Sequence, residues 1–222
     1  MSALNVFGIF ISGYLIGSIP VAYLVVRHKA KVDIRKEGSG NAGGFNAFHV
    51  TNSKAVGILV GVLDGIKGLA AVGASILVQP ETFPIQAVAL LGAIAGHNYP
   101  LWLKFKGGRG LATTAGGLFV LGFSYTLVWC LVWLLSKLVL RRSVLNSNLI
   151  AIFLAPAILF FLPWRWVKVP IVATVDDGSF LFFSCVLSIV LLLGHFDVVR
   201  DAWKASRARD PLRRENHPFN NI

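Results

Sequence analysis

Apolar residues dominate the chain in runs near twenty residues, separated by short polar stretches rich in glycine and charge. Runs of that length match the hydrocarbon thickness of a bilayer when helical, and they lack the alternation of barrel strands. The pattern predicts spans at 4–26, 55–78, 85–103, 113–122, 123–141, 148–164 and 179–199. The segment 113–122 is short for an upright crossing, so it either tilts or continues into the next helix, and the count is six or seven. No Lys or Arg precedes the first apolar run and no small-residue cleavage signature follows it, so it reads as a retained span. The expected fold class is all-α: a polytopic membrane protein of about seven transmembrane helices, N-terminus outside and C-terminus cytoplasmic. Residues 1–200 form its membrane domain and 201–222 a basic cytoplasmic tail.

Composition agrees, with 55% hydrophobic residues, 14% charged and a mean hydropathy of +0.70. A net charge of +11 would suggest nucleic acid in a soluble chain. Here its distribution decides otherwise. With the N-terminus outside, all but four of the 21 Lys and Arg fall in cytoplasmic loops and the tail. Lys67 and Lys137 lie within spans, and Arg165 and Lys168 outside. That asymmetry follows the positive-inside rule and gives the cytoplasmic side an affinity for anionic lipid headgroups rather than nucleic acid. Cys130 and Cys185 sit inside apolar runs as small hydrophobes. His28, His49, His97, His195 and His217 are scattered, so neither a metal site nor a cofactor is expected.

The polar stretches carry the candidate chemistry. Gly13, Gly17, Ser18 and Pro20 interrupt the first span as a kink or a close helix contact. In the loop 27–54, Gly38-Ser39-Gly40-Asn41-Ala42-Gly43-Gly44-Phe45-Asn46 reads either as an anion cradle or as a flexible polar turn. Asp64 and Lys67 are three apart on one helical face, forming an intramembrane pair that either neutralises itself or lines a polar cavity. The densest stretch, 96–114, sets His97, Lys104, Lys106 and Arg109 around Gly107, Gly108 and Gly110. Thr113 or Thr114 is a candidate cap for the helix that follows. The Walker sequence of a nucleotide loop is missing. Arg142 and Ser143 close a span with a possible phosphate contact, and His195 sits at the end of the last one. Trp164 and Trp166 read as an interfacial belt, with Asp176 and Asp177 in solvent. The residues alone indicate a membrane protein binding a phosphate-bearing ligand on its cytoplasmic face.

Three stretches together resemble the bacterial acyl-phosphate:glycerol-3-phosphate acyltransferases of the PlsY type. They are 38–46, then Gly96-His97-Asn98-Tyr99-Pro100 continuing to Phe105-Lys106-Gly107-Gly108-Arg109-Gly110-Leu111-Ala112-Thr113, and the segment beginning at His195. Leu15-Ile16-Gly17-Ser18-Ile19-Pro20, Asp33-Ile34-Arg35 and 63–68 also look like family features. The resemblance implies an integral plasma-membrane enzyme with its active site on the cytoplasmic face. Such an enzyme moves an acyl chain from acyl phosphate to the sn-1 hydroxyl of glycerol 3-phosphate and releases lysophosphatidate and inorganic phosphate. It implies Ser39, Asn41 and His97 as catalytic candidates. Gly38, Gly40, Asn46, His49, Lys104, Lys106, Gly107, Gly108, Arg109, Gly110, Arg142, Ser143 and His195 become substrate or phosphate contacts.

Direct attack by the substrate hydroxyl is expected, since Ser39 has no base near it in sequence. The chain departs from the family where Phe45 and His49 replace a hydroxyl and an arginine, where Arg109 replaces lysine, and where His195-Phe196-Asp197-Val198 replaces His-x-x-Asn. Another alcohol or polyol phosphate as acceptor therefore stays open. So do a transporter of phosphorylated metabolites or lipids and an inactive lipid-binding homologue.

Overall fold

The computed structural model describes residues 2–80, 82–161, 176–200 and 203. Among them the regular elements are helices: α1 (Ala3–Gly17), α2 (Val21–Ala30), α3 (Gly44–Thr51), α4 (Lys54–Val78), α5 (Phe83–Asn98), α6 (Leu111–Leu121), α7 (Phe123–Leu138), α8 (Val144–Phe161) and α9 (Asp177–Gly194). Single 3-10 turns occupy Ile34–Lys36 and Leu101–Leu103. Three segments are long and apolar enough to cross a bilayer, Ala3–Ala30, Lys54–Val78 and Val144–Phe161, while α6, α7 and α9 are apolar but shorter. The tryptophans Trp164 and Trp166 and most of the tail 201–222 lie outside the described residues.

Where boundaries differ from expectation, the backbone explains the shift. The span expected at 4–26 is two helices: Ser18 N still bonds Tyr14 O at 2.8 Å, Ile19 N turns to Ile16 O at 3.4 Å, and Pro20 has no N–H to continue the ladder. The span 85–103 stops at Asn98, two residues before Pro100. The last two helices start before their expected limits because side chains cap them. Ser143 Oγ accepts from Asn146 N at 3.2 Å and starts α8 early. Asp176 Oδ1 accepts from Ser179 N at 2.9 Å and starts α9. Thr113 and Thr114 do not cap α6; the helix begins earlier, at Leu111 behind Gly110, and both threonines are buried within it. The stretch 27–54, expected as a cytoplasmic loop, contains α3, which Gly44 seats against the Gly57–Gly61 face of α4.

α1 and α5 cross in backbone contact. A side chain at Gly13 or Gly17 would overlap the backbone of Ala89 or Ala93, and one at Gly92 or Gly96 would overlap that of Phe10 or Tyr14. One apolar cluster joins Leu90 and Ile94 to Leu118, Leu121, Ile152, Leu159, Leu187 and Leu191. A second, around Val26, Ile34, Ala47, Val56, Val60 and Leu103, lies beneath the Gly-rich loops. Two tyrosines tie three helices at one end: Tyr14 OH donates to Tyr99 O at 2.8 Å and Tyr99 OH to Leu193 O at 3.0 Å.

The break after α1 is filled by a charge. Val21 N bonds Ile19 O at 2.9 Å rather than the carbonyl of Gly17, which leaves Gly17 O without its helical donor. Lys67 Nζ, reaching from α4, donates to Gly17 O at 3.1 Å and to Ile19 O at 2.9 Å. The same ammonium pairs with Asp64 Oδ1 at 2.9 Å and lies 3.2 Å from His97 Nδ1. Asp64 and Lys67 thus form a neutralising pair that also joins α1, α4 and α5. Removing one partner of a buried pair strands the other charge, so Lys67→Met is expected to cost about 3–5 kcal/mol. Thermal unfolding in detergent checks this: the single variant should melt well below wild type, and Asp64→Asn/Lys67→Met should recover part of the loss.

Candidate active site

Two Gly-rich loops meet at the end of the bundle where α5 ends and where α3, α4, α6 and α8 begin. They are stitched together by backbone, Ala42 N donating to Gly107 O at 3.1 Å. Arg35 adds a second tie, donating from Nη1 to Leu103 O at 3.1 Å and gripping the Asp33 carboxylate at 2.9 and 2.6 Å. The guanidinium bond holds Asp33 down to about 2. The first loop is shaped by Asn46, whose Nδ2 lies within hydrogen-bond distance of Ile34 O, Glu37 O and Asn41 O at 3.0–3.2 Å, while its Oδ1 accepts from Ser39 N at 3.0 Å. The second loop needs glycine twice. A side chain at Gly108 would collide with the His97 imidazole, and Gly110 turns at φ +76°, where other residues are strained.

Between these loops and the helix ends lies a cavity of about 500 Å³. Its polar wall is Asn41, Lys54, Asp64, His97, Arg109 and Asn148, and its apolar wall includes Phe45, Phe48, Ile58, Leu111, Val144 and Leu145. Two helices start on it without side-chain caps. Gly43 precedes α3 and Gly110 precedes α6, and neither position offers a side-chain oxygen to the first amides. Gly44, Phe45, Leu111 and Ala112 line the cavity, so both helix N-termini present N–H groups and positive dipole ends to one space. The neighbouring N-termini of α4 and α8 are satisfied by Ser53 and Ser143.

His97 is 6% exposed and sits at the back of this space. Its Nδ1 faces Lys67 Nζ at 3.2 Å and Asp64 Oδ1 at 3.5 Å. Nδ1 therefore stands between a donor, the Lys67 ammonium, and an acceptor, the Asp64 carboxylate; in the tautomer that accepts from Lys67, the ring proton resides on Nε2. That tautomer makes His97 a donor at Nε2, beside the Gly107-Gly108 turn. Arg109 is largely buried, pairs through Nη2 with Asp197 Oδ2 at 2.6 Å, and leaves its Nε unpartnered.

Of the residues expected from sequence, the structure brings Asn41, Asp64, His97 and Arg109 to the cavity, with Lys67 behind them. It does not bring the others to the lining. Ser39 is exposed on the turn between Gly38 and Gly40, both at positive φ. Asn46 has its amide committed to backbone and builds the loop. His49 is exposed and packs its ring against Phe45 and Phe48. Lys104 and Lys106 are exposed, as are Arg142 and Ser143, the latter acting as a cap. His195 is fully buried with Nδ1 2.8 Å from Leu191 O. Sequence reasoning missed Lys54, counted only as a loop charge, and Asn148, whose signal was a pair of amides, Asn146 and Asn148, near the start of an apolar helix. Among the described residues no group of His, Cys, Asp and Glu could hold a metal.

The fold and cavity define a helical integral membrane protein with a cavity lined by polar and apolar walls at one end of its bundle. A family model described as Glycerol-3-phosphate acyltransferase matches residues 7–204. A glycerol-3-phosphate acyltransferase of Rhodopseudomonas palustris is 35% identical over 208 residues, 91% of this chain and 96% of that protein. One of Desulforamulus reducens is 42% identical over 146 residues, 66% of this chain and 72% of that protein. A crystal structure of PlsY, an integral membrane glycerol 3-phosphate acyltransferase in its glycerol 3-phosphate form, superposes with a TM-score of 0.71 at 27% identity, covering 90% of this chain and 93% of that one. The lysophosphatidic acid form gives 0.70. The chain belongs to the glycerol-3-phosphate acyltransferase family and is an acyltransferase.

Replacing Asn46 by Ala strands three carbonyls and one amide in a tight loop, several of them only part-buried, and is expected to cost about 2 kcal/mol. Hydrogen exchange should show faster exchange confined to residues 34–46, along with a lowered unfolding temperature.

Proposed function

We propose that this chain transfers the acyl group of an acyl phosphate to glycerol 3-phosphate, for phospholipid synthesis, at the cytoplasmic face of a bacterial plasma membrane with the N-terminus outside. The observation that carries the reading is the pair of uncapped helix N-termini, α3 and α6, opening with Arg109 and Lys54 onto one cavity whose other wall is apolar. Both substrates carry phosphate, one carries a fatty chain, and the cavity offers amides and cations for the first and Phe45, Phe48, Ile58 and Leu145 for the second. Glycerol 3-phosphate as acceptor is supported by the relatives of that name and by the glycerol 3-phosphate form of the neighbouring structure.

The hydroxyl oxygen attacks the acyl carbonyl, the bond from that carbon to the phosphate oxygen breaks, and inorganic phosphate leaves with the electron pair. The hydroxyl proton passes to a phosphate oxygen of the substrates. Acyl phosphate is a mixed anhydride with a good leaving group, so positioning and charge stabilisation supply most of the acceleration. Helix N-termini and Arg109 stabilise the departing phosphate, and His97 Nε2–H donates to a substrate oxygen. Ser39, exposed and off the cavity lining, does not form an acyl-enzyme.

Purified protein given palmitoyl phosphate and glycerol 3-phosphate should release lysophosphatidate and inorganic phosphate in equal amounts. Product with only another alcohol would reassign the acceptor, and no product with any acceptor would overturn the reading. Arg109→Gln removes a charge-assisted contact and should lower kcat/KM about 10- to 100-fold. Lys106→Gln, exposed and off the lining, should stay within about threefold.

A further inference from the structure

The geometry points to Asp197 as a positioning residue that holds Arg109 in a phosphate-receiving pose. This rests on the proposed phosphate site, and it concerns a residue outside the cavity lining. Arg109 stands on the turn leading into α6, flanked by Gly108 and Gly110, with little side chain of its own loop to brace it. Its long stem has several rotamers, and a free guanidinium beside an open cavity would lose entropy on meeting an anion. Asp197, just past the end of α9, removes that freedom. One carboxylate oxygen takes one guanidinium nitrogen, Nη2, at 2.6 Å.

The contact is one-sided, and this is what distinguishes a brace from a neutralising fork. A bidentate carboxylate would occupy two guanidinium nitrogens. Here Nε is buried and has no partner, although Arg109 lines the cavity. A buried, unpartnered N–H on a charged group is costly unless a ligand completes it. The brace itself is 47% exposed against 10% for the arginine side chain, so the carboxylate keeps much of its hydration while the guanidinium is withdrawn toward the cavity. The two ends are also tied mechanically. The Asn98 side chain fits between Gly110 and Gly194, where a side chain at either glycine would meet its amide. The turn carrying Arg109 and the end of α9 therefore keep a fixed spacing.

A brace and a competitor predict opposite signs. If Asp197 merely competed with phosphate for Arg109, its removal would strengthen phosphate binding. If it orients the guanidinium, removal weakens binding, and Asn, which keeps an acceptor oxygen in place, restores most of it. The test titrates inorganic phosphate into detergent-purified wild type, Asp197→Ala and Asp197→Asn by phosphorus NMR, with thermal unfolding as a folding control. Asp197→Ser replaces the Ala variant if that one does not purify folded.

The expected result is about a tenfold weaker phosphate affinity for Asp197→Ala and less than threefold for Asp197→Asn. In turnover assays KM for one phosphate substrate should rise about tenfold while kcat changes less than twofold. Unchanged or tighter phosphate binding in Asp197→Ala overturns the inference, as does an equal loss in Asp197→Asn. Turnover by wild type reports separately on the proposed reaction, so failure of that reading is read from a different measurement.

Discussion

The ammonium of Lys67, taken into the bundle, is the contact on which the rest of the structure depends. It stands where the first span is interrupted and donates to the carbonyls of Gly17, left without its helical donor, and Ile19. A lysine charge inside a bilayer protein is tolerated only when its protons are taken up, and here they are shared among two carbonyls, the Asp64 carboxylate and the His97 ring. The arrangement fixes α1 against α4 and aims the end of α5. It also contacts the His97 ring, so a structural knot and the back wall of the cavity are one object.

From that fixed back wall the two Gly-rich loops extend forward, and their glycines serve contact as much as flexibility. Gly108 is small because His97 lies against it. Gly110 turns the chain so that α6 starts at the cavity edge with no side chain in front of its amides. Leaving two helix N-termini uncapped costs stability in the empty protein, and in the proposed function a bound phosphate recovers it. The adjacent N-termini of α4 and α8, whose first residues also line the cavity, have serine caps, so their dipole ends are already occupied.

Much of this was legible in the chain. The apolar runs gave helices, and the stretch 96–114 gave His97 and Arg109, which the structure brings to the cavity. The i to i+3 spacing of Asp64 and Lys67 gave their pairing. What was not legible depends on three-dimensional direction. Lys104, Lys106 and Arg109 are alike as charges in a string, yet only Arg109 turns inward; Lys104 follows a 3-10 turn at positive φ and stays in solvent. Asn46 has the composition of a ligand residue and spends its amide on backbone. Lys54, Asn148 and Asp197 come to the site from segments distant in sequence. The helix α3 was hidden because a glycine-rich stretch reads as a loop, although Gly43 and Gly44 are the start of an amphipathic turn packed on α4.

The central claim is that the two uncapped helix N-termini receive the substrate phosphates. An experimental structure with bound phosphate or glycerol 3-phosphate tests it most directly. The account predicts an anion within hydrogen-bond distance of the backbone amides at 44–45 or 111–112, with Arg109 in contact. Anion density confined to the exposed side of Lys104 and Lys106, with the cavity amides unliganded at saturating substrate, would contradict it.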